Sequence, residues 1–131
     1  MRKFINRIVG LTYDVSFNSI IRLKNEQKLI VDEVTLTRRE KHFAYLPLIG
    51  MEILLGVEGL GGVVEGVKLN TKTEIKSGNQ FLVIFQSKSV HDKPSWMSAV
   101  TTYFNDGWEF VSQDSFDEFE QKWGKFNVKN L

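Results

Sequence analysis

Residues 48–69 read LIGMEILLGVEGLGGVVEGVKL, the most apolar part of the chain and the location of six of its ten glycines. Apolar side chains and glycine together predict buried backbone with tight reversals. Glycine reaches positive φ without a steric penalty and lets main chains approach closely. Glu52, Glu58 and Glu65 are spaced through the run. A membrane-spanning helix needs about 20 residues with few or no charges, so the stretch reads instead as inner strands and corners of a small β-rich core. One strand is expected over residues 51–55 and another over 63–69.

The totals suit that core. A chain of 131 residues fits one domain and can bury a real interior without staples. Its hydrophobic and charged fractions, 42% and 25%, are those of an ordinary globule. A net charge of +1 removes any global electrostatic case for nucleic acid or an anionic membrane, though not a local patch. The absence of cysteine excludes disulfides, a thiol nucleophile and every cysteine-based metal site. The N-terminus, MRKFINRIV, begins like a signal peptide, but Arg7 interrupts its apolar run and Tyr13-Asp14 follow. A cytoplasmic protein with no membrane partner is therefore expected. Frequent lysine and asparagine are compatible with an AT-rich bacterial genome.

Upstream of the glycine-rich stretch, Phe4, Ile5, Ile8 and Val9 fit a short amphipathic helix or a leading strand equally well. Val15, Phe17, Ile21 and Leu23 alternate with polar Asp14, Ser16, Asn18, Arg22 and Lys24, the period of a half-buried strand. A polar reversal at residues 24–27 leads into a second strand over 28–37, with Asp32-Glu33 as a bulge or kink. Downstream, residues 76–79 make a turn. The five apolar residues 81–85 form a strand that their continuous hydrophobicity predicts to be covered on both faces. Residues 87–95 read as a polar loop. Asn105-Asp106-Gly107, between aromatic runs at 96–104 and 108–111, reads as a hairpin turn. The last element is a helix, with Ser115 and Glu118 as a capping box, acids in the first turns and Gly124 as the stop. Its apolar face is Phe116, Phe119 and Trp123.

Each candidate for chemistry has a plainer structural counterpart. Gly59-Leu60-Gly61-Gly62 suggests a phosphate loop, but Val64 stands where a dinucleotide fingerprint needs its third glycine, and no Gly-Lys-Ser/Thr ending follows. Tight β-corners account for it. His42 and His91, the two histidines, could serve a metal or acid–base site with a carboxylate, yet neither has a recognised ligand spacing. Glu52, Glu58 and Glu65 could supply a general acid of raised pKa if buried, or could simply face outward. No Gly-x-Ser-x-Gly elbow is present. The richest stretch is Arg38, Arg39, Lys41 and His42 beside Phe43 and Tyr45. It combines cations with ring faces, the two ingredients of single-stranded RNA binding. Lys88, His91, Lys93 and Trp96 form a looser group of the same kind. The plain alternative for both is a solvated loop running into a core strand.

Ile75-Lys76-Ser77-Gly78-Asn79-Gln80-Phe81-Leu82-Val83 resembles an element of PUA-like small barrels, in which a hydrophobic-basic-x-Gly-Asp turn feeds a buried strand. Asn79 replaces the usual aspartate. The resemblance, which spans about a dozen residues, implies an RNA-binding module. More narrowly, it implies the small PUA-like regulators carried by conjugative plasmids of Gram-positive bacteria. No functional residue transfers from it. The expectation is thus an α+β domain: a small bent or closed, mostly antiparallel sheet with a C-terminal helix packed on it. The expected function is a non-enzymatic regulatory module that binds RNA through Arg38, Arg39, Lys41, His42, Phe43 and Tyr45, without cofactor or metal. The alternatives are a protein-interaction module of the inhibitor or immunity type, and a small hydrolase-like enzyme with a histidine–carboxylate site.

Overall fold

The computed structural model describes residues 12–69 and 80–125, so the N-terminal run and most of the PUA-like turn lie outside the described residues. The chain forms a curled mixed sheet, a half-barrel, with two helices packed on it. The strands are β1 (Tyr13–Lys24), β2 (Ile30–Phe43), β3 (Glu52–Leu55), β4 (Leu60–Leu69), β5 (Gln80–Phe85), β6 (Lys88–Val90) and β7 (Glu109–Phe110). The helices are α1 (Lys93–Asn105) and α2 (Gln113–Trp123). Strand order is β3-β4-β5-β1-β2-β7, with β6 also paired to β1.

β1 is the spine, and its alternation is as expected. Val15, Phe17, Ser19, Ile21 and Leu23 are buried, and the residues between them are half-exposed. One edge of β1 carries β2 antiparallel; the other carries β5 and then β6, both parallel. Antiparallel pairs still predominate in the mixed sheet. β5 lies between β4 and β1, which explains its apolar run, although only Val83 and Phe85 are fully covered. The irregularity expected at Asp32-Glu33 falls one residue earlier. Leu23 pairs with Asp32 and Lys24 with Ile30, leaving Val31 as the extra residue.

The glycine-rich stretch is sheet turned sharply on itself. β4 pairs with β3 through its first residues and with β5 through its last, so the strand rounds a corner between two ladders. Gly61 makes that corner possible. Its φ is 152°, and a Cβ there would run into the carbonyl oxygen of Ile53 on β3. Ile53, Leu55 and Val64 deliver the buried side chains of this hairpin.

Two expectations about the helical part of the chain need correction. The hairpin about Asn105-Asp106-Gly107 does not form, because residues 93–105 are helix α1. Of residues 87–95, expected as a polar loop, 88–90 are strand β6 and 92–95 are the start of the helix. Asp92 is the N-cap, its carboxylate accepting from Ser95 N–H at 2.8 Å, and Pro94 sits in the first turn. Trp96, Val100 and Tyr103, at helical spacing, are its buried face. Gly107, at φ 93°, ends it. Trp108 N–H reaches back to Tyr103 C=O at 3.1 Å and Gly107 N–H to Phe104 C=O at 3.3 Å, a Schellman closure. The Trp108 and Tyr103 rings meet edge to face at 5.1 Å, the apolar contact that accompanies such an end. A glycine that can close a hairpin can equally close a helix, and the buried tryptophan decides between them.

The second correction concerns α2, which starts three residues earlier than expected. Ser112 is its N-cap, and the reciprocal box is Ser112 with Ser115. Its stop at Gly124 and its apolar face are as expected. Phe119 is buried, Phe116 and Trp123 pack against the core, and Trp123 Nε1 donates to Asp32 Oδ2 at 2.8 Å.

The Asp92 cap has a pH consequence. Hydrogen bonds from the Ser95 backbone and then its side chain hold the Asp92 carboxyl below the ordinary aspartate range. A depressed folded-state pKa stabilises above the unfolded value and loses that contribution as pH falls through the folded one. α1 should therefore lose support only below about pH 4. Asp92→Asn keeps an acceptor but cannot titrate, so its melting temperature should fall less between pH 5 and pH 3 than the wild type's. Equal acid sensitivity of the two proteins would refute this.

Candidate binding surface

The basic stretch expected in a loop is the far half of β2, which runs without a break to Phe43. Strand alternation then divides it between two faces. Arg38 pairs with Phe17 and Glu40 with Val15, both core positions of β1, whereas Arg39 pairs with outward Ser16. Arg38 is consequently an internal tie. Its Nε meets Glu40 Oε2 at 2.7 Å and its Nη1 donates to the backbone carbonyl of Asp106 at the end of α1. The Asp106 carboxylate accepts from the N–H groups of Val57 (3.2 Å) and Glu58 (3.3 Å) in the β3–β4 turn. One guanidinium and one carboxylate thus join β2, α1 and the hairpin tip.

Removing that guanidinium leaves Glu40 and the Asp106 carbonyl without their partner. Arg38→Ala is expected to lower unfolding stability by about 1–3 kcal/mol. Arg39→Ala should change it by no more than about 0.5 kcal/mol. Urea denaturation of both variants checks this, and equal losses would mean that Arg38 carries no structural role.

The remaining members of the expected site gather at the end of β2. Arg39 Nη2 lies 3.0 Å from Asp14 Oδ2 and its side chain is half-exposed. Lys41 and His42 are exposed. His42 has a left-handed backbone (φ 61°), and its Nδ1 lies 3.3 Å from Thr12 Oγ1. Phe43 turns inward, its ring edge to face with Phe17 at 5.2 Å and with Tyr45 at 5.8 Å. Tyr45 itself is 66% exposed. Four of the six expected residues are therefore exposed: Arg39, Lys41, His42 and Tyr45. Arg38 and Phe43 are not.

The second basic group does not assemble. Trp96 is fully buried and offers no ring to a base. Lys88 Nζ is held by the Tyr103 hydroxyl at 2.7 Å, above that ring. Glu52, Glu58 and Glu65 all point to solvent, the plain reading of the trio. Gly59-Leu60-Gly61-Gly62 is a hairpin turn entering a strand, with no helix N-terminus behind it. His42 adjoins the Tyr13 end of β1 and His91 follows β6 at the Leu23 end. That separation is roughly 30 Å at the rise of a strand, so the two histidines do not form one site. Among the described residues, no cluster of three metal-ligating side chains occurs and no helix is long and apolar enough to cross a membrane.

Sequence reasoning missed the apolar surface beside the basic one. In the connector between β2 and β3, Leu46, Leu48 (57%) and Ile49 (71%) are exposed together with Tyr45. Buried Pro47 pins the segment, and Gly50 N–H to Val64 C=O and Val64 N–H to Met51 C=O, both 2.8 Å, fasten its far end. Its signal was the run Tyr45-Leu46-Pro47-Leu48-Ile49, apolar but without the alternation of a half-buried strand. The chain matches no protein-family model, no curated protein and no solved structure.

Proposed function

We propose that the protein is a non-enzymatic, cytoplasmic binding module that presents the β2–β3 connector to a protein partner. The observation that carries this reading is the exposure of Tyr45, Leu46, Leu48 and Ile49 on a segment anchored at both ends. Exposed apolar residues are ordinary when scattered, but a local group of them marks a contact surface. Anchoring lowers the ordering cost of binding. Two of the nearby cations are held by acids of the chain, Arg39 by Asp14 and Arg38 by Glu40.

RNA is the second reading. Its support is the exposed Tyr45 ring close in the chain to exposed Arg39, Lys41 and His42, and the PUA-like resemblance of residues 75–83 belongs with it. The two readings differ in salt dependence. RNA affinity falls steeply with salt through counterion release, whereas an apolar contact does not. Retention of a partner on immobilised protein after ribonuclease treatment should therefore persist in high salt. It should fall about tenfold or more in Leu48→Ser/Ile49→Ser and stay unchanged in Arg39→Ala/Lys41→Ala. The reverse pattern, with a high ratio of absorbance at 260 to 280 nm that ribonuclease removes, would replace this reading with RNA.

A further inference from the structure

β2 is the longest strand, yet its second edge is only briefly occupied. β7 pairs with it at Leu36 and Thr37 alone, and the chain then leaves the sheet at Ser112 to begin α2. Among the described residues, no strand covers that edge over residues 30–35. Beside it runs a groove of about 210 Å³ between β2 and α2. Its polar lining is Asp32, Glu33 and Thr35 on one side and Ser115, Glu118 and Lys122 on the other.

We infer that this groove binds an extended, basic peptide segment, which adds to the open edge of β2 as a further strand. Six residues of edge span about 20 Å, enough for a peptide of five or six residues. In an antiparallel ladder, alternate residues turn their N–H and C=O groups away from the paired strand. Glu33 marks which residues these are, because its N–H goes to the Asp32 side chain at 2.8 Å and not to β1. Thr35 shares its alternation and offers main-chain hydrogen bonds to an incoming strand, whereas the bulge at Val31 interrupts that alternation at the other end. The Asp32 side chain shields one position, a common way of managing an open edge, and leaves Thr35 accessible.

Charge selects the occupant. Three carboxylates, Asp32, Glu33 and Glu118, face one cation, Lys122, which lies 3.6 Å from Asp32. Arg22 neutralises Glu33 at 2.7 Å from outside the groove, while Glu118 has no ion pair among the described residues. A lysine or arginine on the added strand completes the balance. Val111, 52% exposed and on the groove's wall, supplies an apolar contact for the side chains between. The groove lies at the opposite end of β2 from the connector and does not depend on the reading given for it.

The test is selection of phage-displayed random heptapeptides on the whole chain, followed by fluorescence anisotropy with an enriched synthetic peptide. The expected peptides alternate apolar residues with lysine or arginine. Their affinity should fall about tenfold in Glu118→Lys, an exposed position whose change leaves the fold intact, through like-charge repulsion. Backbone N-methylation at alternate peptide positions should abolish binding, and amide exchange at Thr35 should slow when peptide binds. Absence of enrichment, indifference to Glu118→Lys, or unchanged exchange along β2 would each overturn the proposal. Protection at Thr35 that rises with protein concentration without peptide would make a second copy of the chain the occupant and overturn it equally.

Discussion

Trp96→Ala is expected to lower unfolding stability by about 3–5 kcal/mol, the usual cost of deleting a fully buried aromatic. Trp96 is completely excluded from solvent in the first turns of α1. Its ring lies 5.7 Å from that of Phe119 and 6.0 Å from that of Trp123, so it is the surface on which α2 rests. Its loss removes apolar burial from both helices and frees Trp123 from the geometry that aims its Nε1 at Asp32. Domains of this size have about 5–15 kcal/mol in all, so the variant should lose a large share of its stability and show a clearly lowered urea midpoint. Trp96→Phe, which keeps most of the apolar volume, should recover a large part of the loss. A cost below about 1 kcal/mol for the alanine variant would mean that residues 93–105 do not form a core helix.

Gly61→Ala is the second large effect, and it acts through the backbone. The residue has a φ that L side chains rarely adopt, and its missing Cβ is where Ile53 C=O approaches. Alanine there must strain the main chain or push β3 away from β4, at about 2–4 kcal/mol. The adjacent Gly62 also has positive φ, but a Cβ on it would meet only the Lys88 side chain at 3.9 Å. Gly62→Ala should therefore cost less than Gly61→Ala. Calorimetric melting of the two variants checks the order. A Gly61→Ala protein as stable as wild type would contradict the close crossing of β3 and β4.

β1 and α2 were legible because their patterns are local and long. Alternation from Asp14 to Lys24 has one consistent reading, and so does the face of Phe116, Phe119 and Trp123 between Ser and Gly stops. α1 was not, because Asn105-Asp106-Gly107 suits a helix end as well as a hairpin. The N-cap signal in Asp92-Lys93-Pro94-Ser95 was present, but it is brief and competes with a loop reading. The basic stretch was visible as composition and misleading as a site. Arg38 and Arg39 are neighbours in the chain, yet alternation sends one beneath the sheet to Asp106 and the other outward to Asp14. No reading that treats consecutive cations as one patch can separate them. The groove beside β2 left no mark on the sequence, since it exists only where β7 ends and α2 departs.

Hydrophobic period, glycine placement and capping residues were enough to establish an α+β chain with a sharply bent glycine-rich sheet and a C-terminal helix, because each is a short-range property of neighbouring residues. Which strands pair in parallel along β1, which face of β2 holds Arg38, and which edge is left open depend on contacts between residues far apart in the chain. Those choices follow from burying Trp96, Phe17 and Phe85 in a common core, a requirement that no single segment expresses.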